Sequence, residues 1–281
     1  MTAQHSRIDA PLLSSDALSE AVRAQMRPQW GNIARTAVIL GVIMLLLALS
    51  YYPTEMNNWV RLFQGNDFLD SMIAQFLSPD FSDLDLYLRK MLETVQIALW
   101  GTVLSIIFGA PMALLASNNI APAWIVFPMR RLMDASRAIN DLVFAVLFVA
   151  VVGLGPLPGV LAIFVHNLGI ISKLFSEAVE AIDERPVEGI RTTGASRLQE
   201  IIYGVIPQVI PLWSSFSLYR FETNVRSATV LGIVGAGGIG FTFNEAFKGF
   251  RFEEASAIII VMVVTVSVID MISSRLRKML I

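Results

Sequence analysis

The chain has 281 residues, 55% of them hydrophobic and only 16% charged, with a net charge of -2 and a mean hydropathy of +0.63. Soluble globular domains average about 25% charged, so an ordinary soluble domain is excluded and a membrane protein is expected, with no basic excess to suggest nucleic acid as a partner. Cysteine is absent and the only histidines are His5 and His166, which excludes thiolate nucleophiles, disulfide frameworks and Cys/His metal sites.

Residues 1–35 spread Arg7, Arg23, Arg27 and Arg35 among acidic and polar residues and lack the small-residue cleavage pattern of a secretory signal. They read as a cytosolic N-terminal tail with a short amphipathic helix around Asp16–Met26. Thr36–Thr54 is the first stretch long enough to span a membrane. The following segment, Pro53–Lys90, mixes Trp59, Phe63, Phe68, Phe76, Phe81 and Tyr87 with acids. Such aromatic density suits a segment lying along the membrane interface, with a partner-docking surface as the alternative. The organisation expected is thus a tail over 1–35, a first span and external segment over 36–90, and a membrane core over 91–281.

Thr94–Met129 carries no formal charge but is too long for one crossing. Its apolar part, Thr94–Ala116, ends at Ser117-Asn118-Asn119, and the remainder, with Pro122 and Pro128, is too short to cross again. Leu142–Ser172 is cut in half by Gly153-Leu154-Gly155-Pro156-Leu157-Pro158-Gly159, where Gly and Pro mark a turn. Two helices with a tight turn are expected, or else one long broken helix. Ile201–Tyr219 is the next span, and Ala255–Ile269, extended to about Ser273, the last. With about six crossings and the N-terminus inside, 14 of the 21 Lys and Arg fall inside and 7 outside, including Arg220 and Arg226. That bias supports both termini in the cytosol.

The polar loop over 180–200 is punctuated like a helix–turn–helix. Asp183 suits an N-cap, Pro186 the first helical turn, and Gly194 a left-handed helix end. Ser196 and Gln199 then fit an S-x-x-Q capping box for a helix entering the membrane. On local physics this knob is either a connector or a docking element for a soluble partner.

Beyond Tyr219 come Arg220, Glu222, Asn224, Arg226 and Ser227. Ionisable groups at membrane depth face the bundle interior and pair with one another. Two readings stay open: Arg220 or Arg226 attracts an oxyanion in transit, or one of them pairs with Glu222 to fix helix packing. His166-Asn167 suits interhelical hydrogen bonds, and Asp141 and Asp270 suit helix ends at the interface, with a proton relay as the alternative.

The run Val230-Leu231-Gly232-Ile233-Val234-Gly235-Ala236-Gly237-Gly238-Ile239-Gly240 contains G-x-G-x-x-G, the dinucleotide-binding pattern, with Glu253 and Glu254 near the distance of a ribose-binding acid. Only 41 residues follow Gly240, and they hold a membrane span rather than a second parallel strand. Gly235, Gly237 and Gly238 therefore read as a re-entrant turn between the last two spans, where irregular backbone is tolerated if it is buried in protein or lines a cavity. No G-x-x-x-x-G-K-[ST] phosphate loop occurs, so a pump built on this chain must borrow an ATPase or use an ion gradient.

The loop over 180–200 resembles the coupling motif of ABC importer permeases, E-A-A-x-x-x-G-x9-I-x-L-P. Glu188, Gly189 and Ile190 occupy its first three positions, Gly194 its glycine, and Pro207 its proline. Gly189 replaces one alanine and Ile190 the other; Gly204 stands for the isoleucine and Ile206 for the leucine. More widely, EAIDERPVEGIRTTGAS, YGVIPQVIPLW and SLYRFETNVRSATVLGIVGAGGIG resemble the permease subunit of phosphonate-family ABC importers, from about Leu92 to the C-terminus. The resemblance implies an all-α, polytopic inner-membrane protein with the type I (MetI-like) permease fold and no enzyme activity or cofactor of its own. It implies a homodimer working with two ATP-binding subunits and a periplasmic solute-binding protein. The loop around Glu188, Gly189, Gly194, Ala195 and Pro207 would sit in a groove of the ATPase, and the glycine segment near the external gate. The cargo expected is a phosphonate, phosphite or hypophosphite. A gradient-driven secondary transporter and, remotely, a membrane nicotinamide oxidoreductase are the rivals.

Overall fold

The structure, a computed structural model, describes residues 30–56, 58 and 67–280. The helix expected around Asp16–Met26 and the aromatics Trp59 and Phe63 lie outside the described residues. All regular structure among those described is helical, the solution open to a chain whose backbone polar groups must be satisfied within each segment in hydrocarbon. They form two compact units divided between Asp67 and Phe68.

The first unit holds α1, Trp30–Ser50. Its apolar part, Ala34–Ser50, has 17 residues, about 26 Å at 1.5 Å per residue, slightly under the ~30 Å of a hydrocarbon core.

The second unit holds α2 (Asp67–Phe76), α3 (Leu84–Ala116), α4 (Ala123–Ala138), α5 (Asp141–Val152), α6 (Pro156–Glu180) and α7 (Glu184–Thr192), then α8 (Ile206–Leu231), α9 (Ile239–Lys248) and α10 (Phe252–Leu280). Four helical stretches are long and apolar enough to cross a membrane: Leu84–Ala116, Pro156–Glu180, Arg197–Val234 and Phe252–Met279. A fifth arises if α4 and α5, bent by 84° where they meet, form one broken span.

That bend corrects two expectations. The remainder of Thr94–Met129, set aside as too short to cross, enters a 16-residue helix, α4, that leads into α5 as either a broken span or a re-entrant loop. The 12-residue α5, about 18 Å long, is no crossing by itself. The tight turn over 153–155 falls where Gly and Pro placed it, between α5 and α6. Asn140 enforces the bend: its backbone is extended and its side-chain oxygen accepts the Leu142 N–H at 2.9 Å, capping α5.

α3 starts at Leu84 rather than Thr94. Its added turns are amphipathic. Arg89 pairs with Asp85 at 2.9 Å on the exposed side, while Tyr87 and Met91 are buried on the other, as a 3.6-residue period allows.

α3 and α6 form the spine of the bundle. They approach through small residues, as membrane helices do: a Cβ on Gly101 would lie 2.6 Å from Ile163 Cγ2, and one on Gly109 3.1 Å from Ile171 Cγ2. Ser105 Oγ donates across this seam to the Phe164 carbonyl at 3.1 Å. Ile97, Ala98, Ala162, Ile163, Val225 and Ile258 are buried in the same core, which joins α8 and α10 to the spine. At one end of the bundle, α2 packs on the start of α10 through Phe68, Phe76, Phe250 and Phe252, with ring centroids 5.5–6.3 Å apart.

Candidate functional site

The loop between α6 and α8 folds as its punctuation dictates. Asp183 accepts the Arg185 N–H at 3.1 Å and caps α7, Gly194 ends the helix region at φ +83°, and Gln199 Oε1 accepts the Ser196 N–H at 2.8 Å to open the next helix. Glu188, Gly189 and Gly194 are exposed and Ala195 half-buried. Nothing lies within 4 Å of a Cβ built on Gly189. Pro207 stands in the first turn of α8, where its missing N–H is tolerated.

Between Gln199 and α8 the backbone is wound as a π-helix, Glu200–Val205, which the sequence reading did not anticipate. Glu200, 6% exposed, accepts a forked pair from Arg191 (Nε to Oε1 and Nη2 to Oε2, both 3.1 Å) and a third bond from Arg197 Nη1 at 3.0 Å. Arg197 also donates to the Asn119 and Ile120 carbonyls, each at 3.0 Å. The paired carboxylate holds the Arg191 guanidinium above its ordinary pKa. Gln208 and Asp183 exchange amide bonds at 3.2 Å in both directions. Arg191, Arg197 and Glu200 border a cavity of about 220 Å³ between α7 and the turn at Asn119–Ile120.

The glycine run is a tight turn that folds back on the end of α8. Gly235, Gly237 and Gly238 all have positive φ, so the chain turns sharply after Val234 and brings Gly240 back against Thr229 and Gly232 at the end of α8. The turn packs backbone on backbone: a Cβ on Gly237 would lie 2.8 Å from the Pro156 nitrogen, and Gly155 N–H donates to the Gly235 carbonyl at 3.0 Å. The α9 N-terminus is already capped, because Glu93 Oε1 accepts the Gly238 N–H at 3.0 Å and Thr94 Oγ1 the Ile239 N–H at 2.8 Å. A dinucleotide fingerprint needs those donors for a pyrophosphate. Here a carboxylate occupies that place, and helices α9 and α10 follow instead of a strand, so the nicotinamide reading is withdrawn.

Arg220, Glu222, Asn224 and Arg226 all lie within α8, not in an external segment beyond it, and none of the expected pairs with Glu222 forms. Glu222 pairs with Arg277 of α10 at 2.8 Å, and Arg226 with Asp270 at 3.2 Å. The two pairs, 222 with 277 and 226 with 270, set α8 and α10 antiparallel, with the last turns of α10 beside Glu222. Asp270 and Glu222 are thus each paired with an arginine of a neighbouring helix. Arg220 is different. Its Nε donates to Asn167 Oδ1 at 2.6 Å and Nη2 reaches Asn224 Oδ1 at 3.5 Å, while Asn224 Nδ2 donates to Thr102 Oγ1 at 2.8 Å. Among the described residues no carboxylate lies in salt-bridge range of Arg220. His166 Nδ1 donates to the Ile139 carbonyl at 2.8 Å, so His166 and Asn167 both tie helices together.

The residues that sequence reasoning missed are Glu200, Arg191, Arg197 and Gln208 at the loop and Glu93 and Thr94 at the turn. A capping box explained Ser196 and Gln199 but left the acid next to them without a role.

Comparison with known proteins places this geometry. Residues 98–281 match the family model described as binding-protein-dependent transport system inner membrane component. The phosphite transport system permease protein PtxC of Stutzerimonas stutzeri is 34% identical over 274 residues, covering 97% of this chain and 98% of the relative. The putative cryptic phosphonate transport system permease protein PhnE2 of Escherichia coli K12 is 63% identical over 118 residues, 42% of this chain and 97% of that one. Among solved structures, the inward-facing MetNI methionine ABC transporter aligns with a TM-score of 0.64 at 19% identity, covering 72% of this chain and 99% of that one, a likeness of fold.

Proposed function

We propose, for a chain that belongs to the family of binding-protein-dependent transport system inner membrane components, that it is the transmembrane permease of an ATP-driven importer for phosphonates or related phosphorus oxyanions. As an ABC importer permease it is not itself an enzyme; ATP hydrolysis lies in a separate subunit, and ATP is that subunit's ligand. Family membership displaces the gradient-driven alternative. Two copies of the chain pair in the bacterial inner membrane, with about six crossings each and both termini in the cytosol. Two ATP-binding subunits dock from the cytosol and a periplasmic binding protein delivers the cargo.

The observation that carries this reading is the loop helix α7. It leaves Glu188 and Gly189 exposed, with nothing within 4 Å of a Cβ on Gly189, while Arg191 ties it to the base of α8. A connector needs no such exposed, anchored helix; a lever does. ATP binding closes the paired ATPases, α7 receives that motion, and α8 with its re-entrant turn over Gly235–Gly238 changes which side the pathway opens to. Arg220 is the cation best placed to meet an oxyanion in transit, because asparagines rather than acids hold it.

The test is reconstitution. The chain, co-expressed with the ATPase encoded beside it and supplied with its binding protein, is placed in liposomes. ATP-dependent uptake of phosphite or an alkylphosphonate, competed by neither methionine nor alginate, supports the reading. Failure to bind any ATPase subunit overturns it.

A further inference from the structure

Three elements meet at one buried carboxylate. Arg191 reaches Glu200 from α7, Arg197 reaches it from the turn preceding the π-wound segment, and through Arg197 the turn at Asn119–Ile120 joins them. Apolar contact supports the same junction: a Cβ on Gly204, inside the π-helix, would lie 3.1 Å from Val187 Cγ2 and 3.3 Å from Ile190 Cδ1 of α7. The helix α7 is therefore fixed to Glu200–Val205 at two points, one ionic and one apolar, about one helical turn apart.

A π-helical turn inside a longer helix is rare and frequently sits at a functional site. It is a helix element with a second arrangement nearby, the α-wound one, and a contact that biases the two is what lets one site act on another. A forked Arg–carboxylate pair is the side-chain contact best suited to that task, because it fixes orientation as well as distance.

We propose that Glu200 is the positioning residue that makes α7, the π-wound segment and the Asn119–Ile120 turn one rigid lever, so that a push on α7 becomes a rotation at the base of α8. This inference rests on the importer reading above and adds to it the part that transmits the stroke. Glu200 touches neither cargo nor nucleotide. Its loss leaves the ATPase able to dock on the outer side of α7 and to turn over, while the motion is dissipated in a loosened π-segment.

The experiment compares the reconstituted wild-type importer with Glu200→Gln, which keeps the shape and removes the charge, and with Arg191→Lys, which keeps the charge and removes the fork. Phosphite uptake and ATP hydrolysis are measured on the same vesicles. Both variants are expected to lower the number of ions moved per ATP by about tenfold, within the roughly 5–150-fold coupling typical between linked sites. Arg191→Lys combined with Glu200→Gln should fall no further than either alone. An unchanged transport-to-hydrolysis ratio in Glu200→Gln overturns the proposal. If Glu200→Gln fails to assemble, the more exposed Arg191→Gln is read in its place, and an unchanged ratio there overturns it equally. If wild type itself binds no ATPase, the importer reading fails, a result distinct from both.

Discussion

Glu93, near the start of the first long helix, accepts the backbone N–H of Gly238 at 3.0 Å across 145 residues of chain. Its neighbour Thr94 accepts the next N–H, that of Ile239, at 2.8 Å, and Lys90 holds the Glu93 carboxylate at 2.8 Å. The glycine turn is thus capped by another helix rather than by itself, and its position is tied to that of α3.

Replacing Thr94 by Val keeps the volume and removes the acceptor, leaving the Ile239 N–H buried without a partner. The expected cost is about 1–3 kcal/mol of stability. It should appear as a lower melting temperature in detergent and as faster amide hydrogen exchange at 238–241 than at other positions of the bundle.

Two glycines test how much of the fold rests on backbone approach. A Cβ on Gly240 would collide with the Thr229 carbonyl, whereas one on Gly189 meets nothing within 4 Å. Gly240→Ala should abolish assembly of the folded protein. Gly189→Ala should raise stability by roughly 0.5–1 kcal/mol through helix propensity alone, and it places in the loop the alanine that the coupling motif has there. Yield and thermal stability after purification check both.

The two arginines of α8 separate a transport role from a packing role. Arg226 already has Asp270 at 3.2 Å, and Arg220 has only Asn167 and Asn224. Arg220→Gln should lower phosphite uptake by about tenfold or more, as loss of a charge-assisted hydrogen bond of ~1.5–3 kcal/mol implies. Arg226→Gln should change uptake less than threefold, by analogy with exposed ion pairs worth ~0–1 kcal/mol. Equal loss in both variants would remove the distinction.

What the sequence revealed and what it hid follow one division. Asp183, Gly194, Ser196 and Gln199 act on backbone two or three residues away, so their roles were legible from spacing. Glu200 was not: Arg197 stands three residues before it, but Arg191 reaches it only across the chain reversal at Gly194, which spacing does not reveal. The start of α3 was hidden by Asp85, Arg89 and Lys90, charges that lie on one side of a helix whose other side is buried. The partners of Glu222 and Arg226 depend on how α10 lies along α8, an antiparallel register visible only in the fold. A linear count of crossings has no access to it, and so it assigned Arg220 and Arg226 to an external segment.

The measurement that tests the central claim most directly uses the absence of cysteine from the chain. Arg185→Cys, at a side chain 91% exposed on α7, gives a single thiol for a short crosslinker in native membranes. The account predicts a crosslinked partner that hydrolyses ATP, with a yield that changes when ATP is added. A thiol that reacts freely with small reagents in those membranes yet captures no ATP-hydrolysing subunit would contradict it.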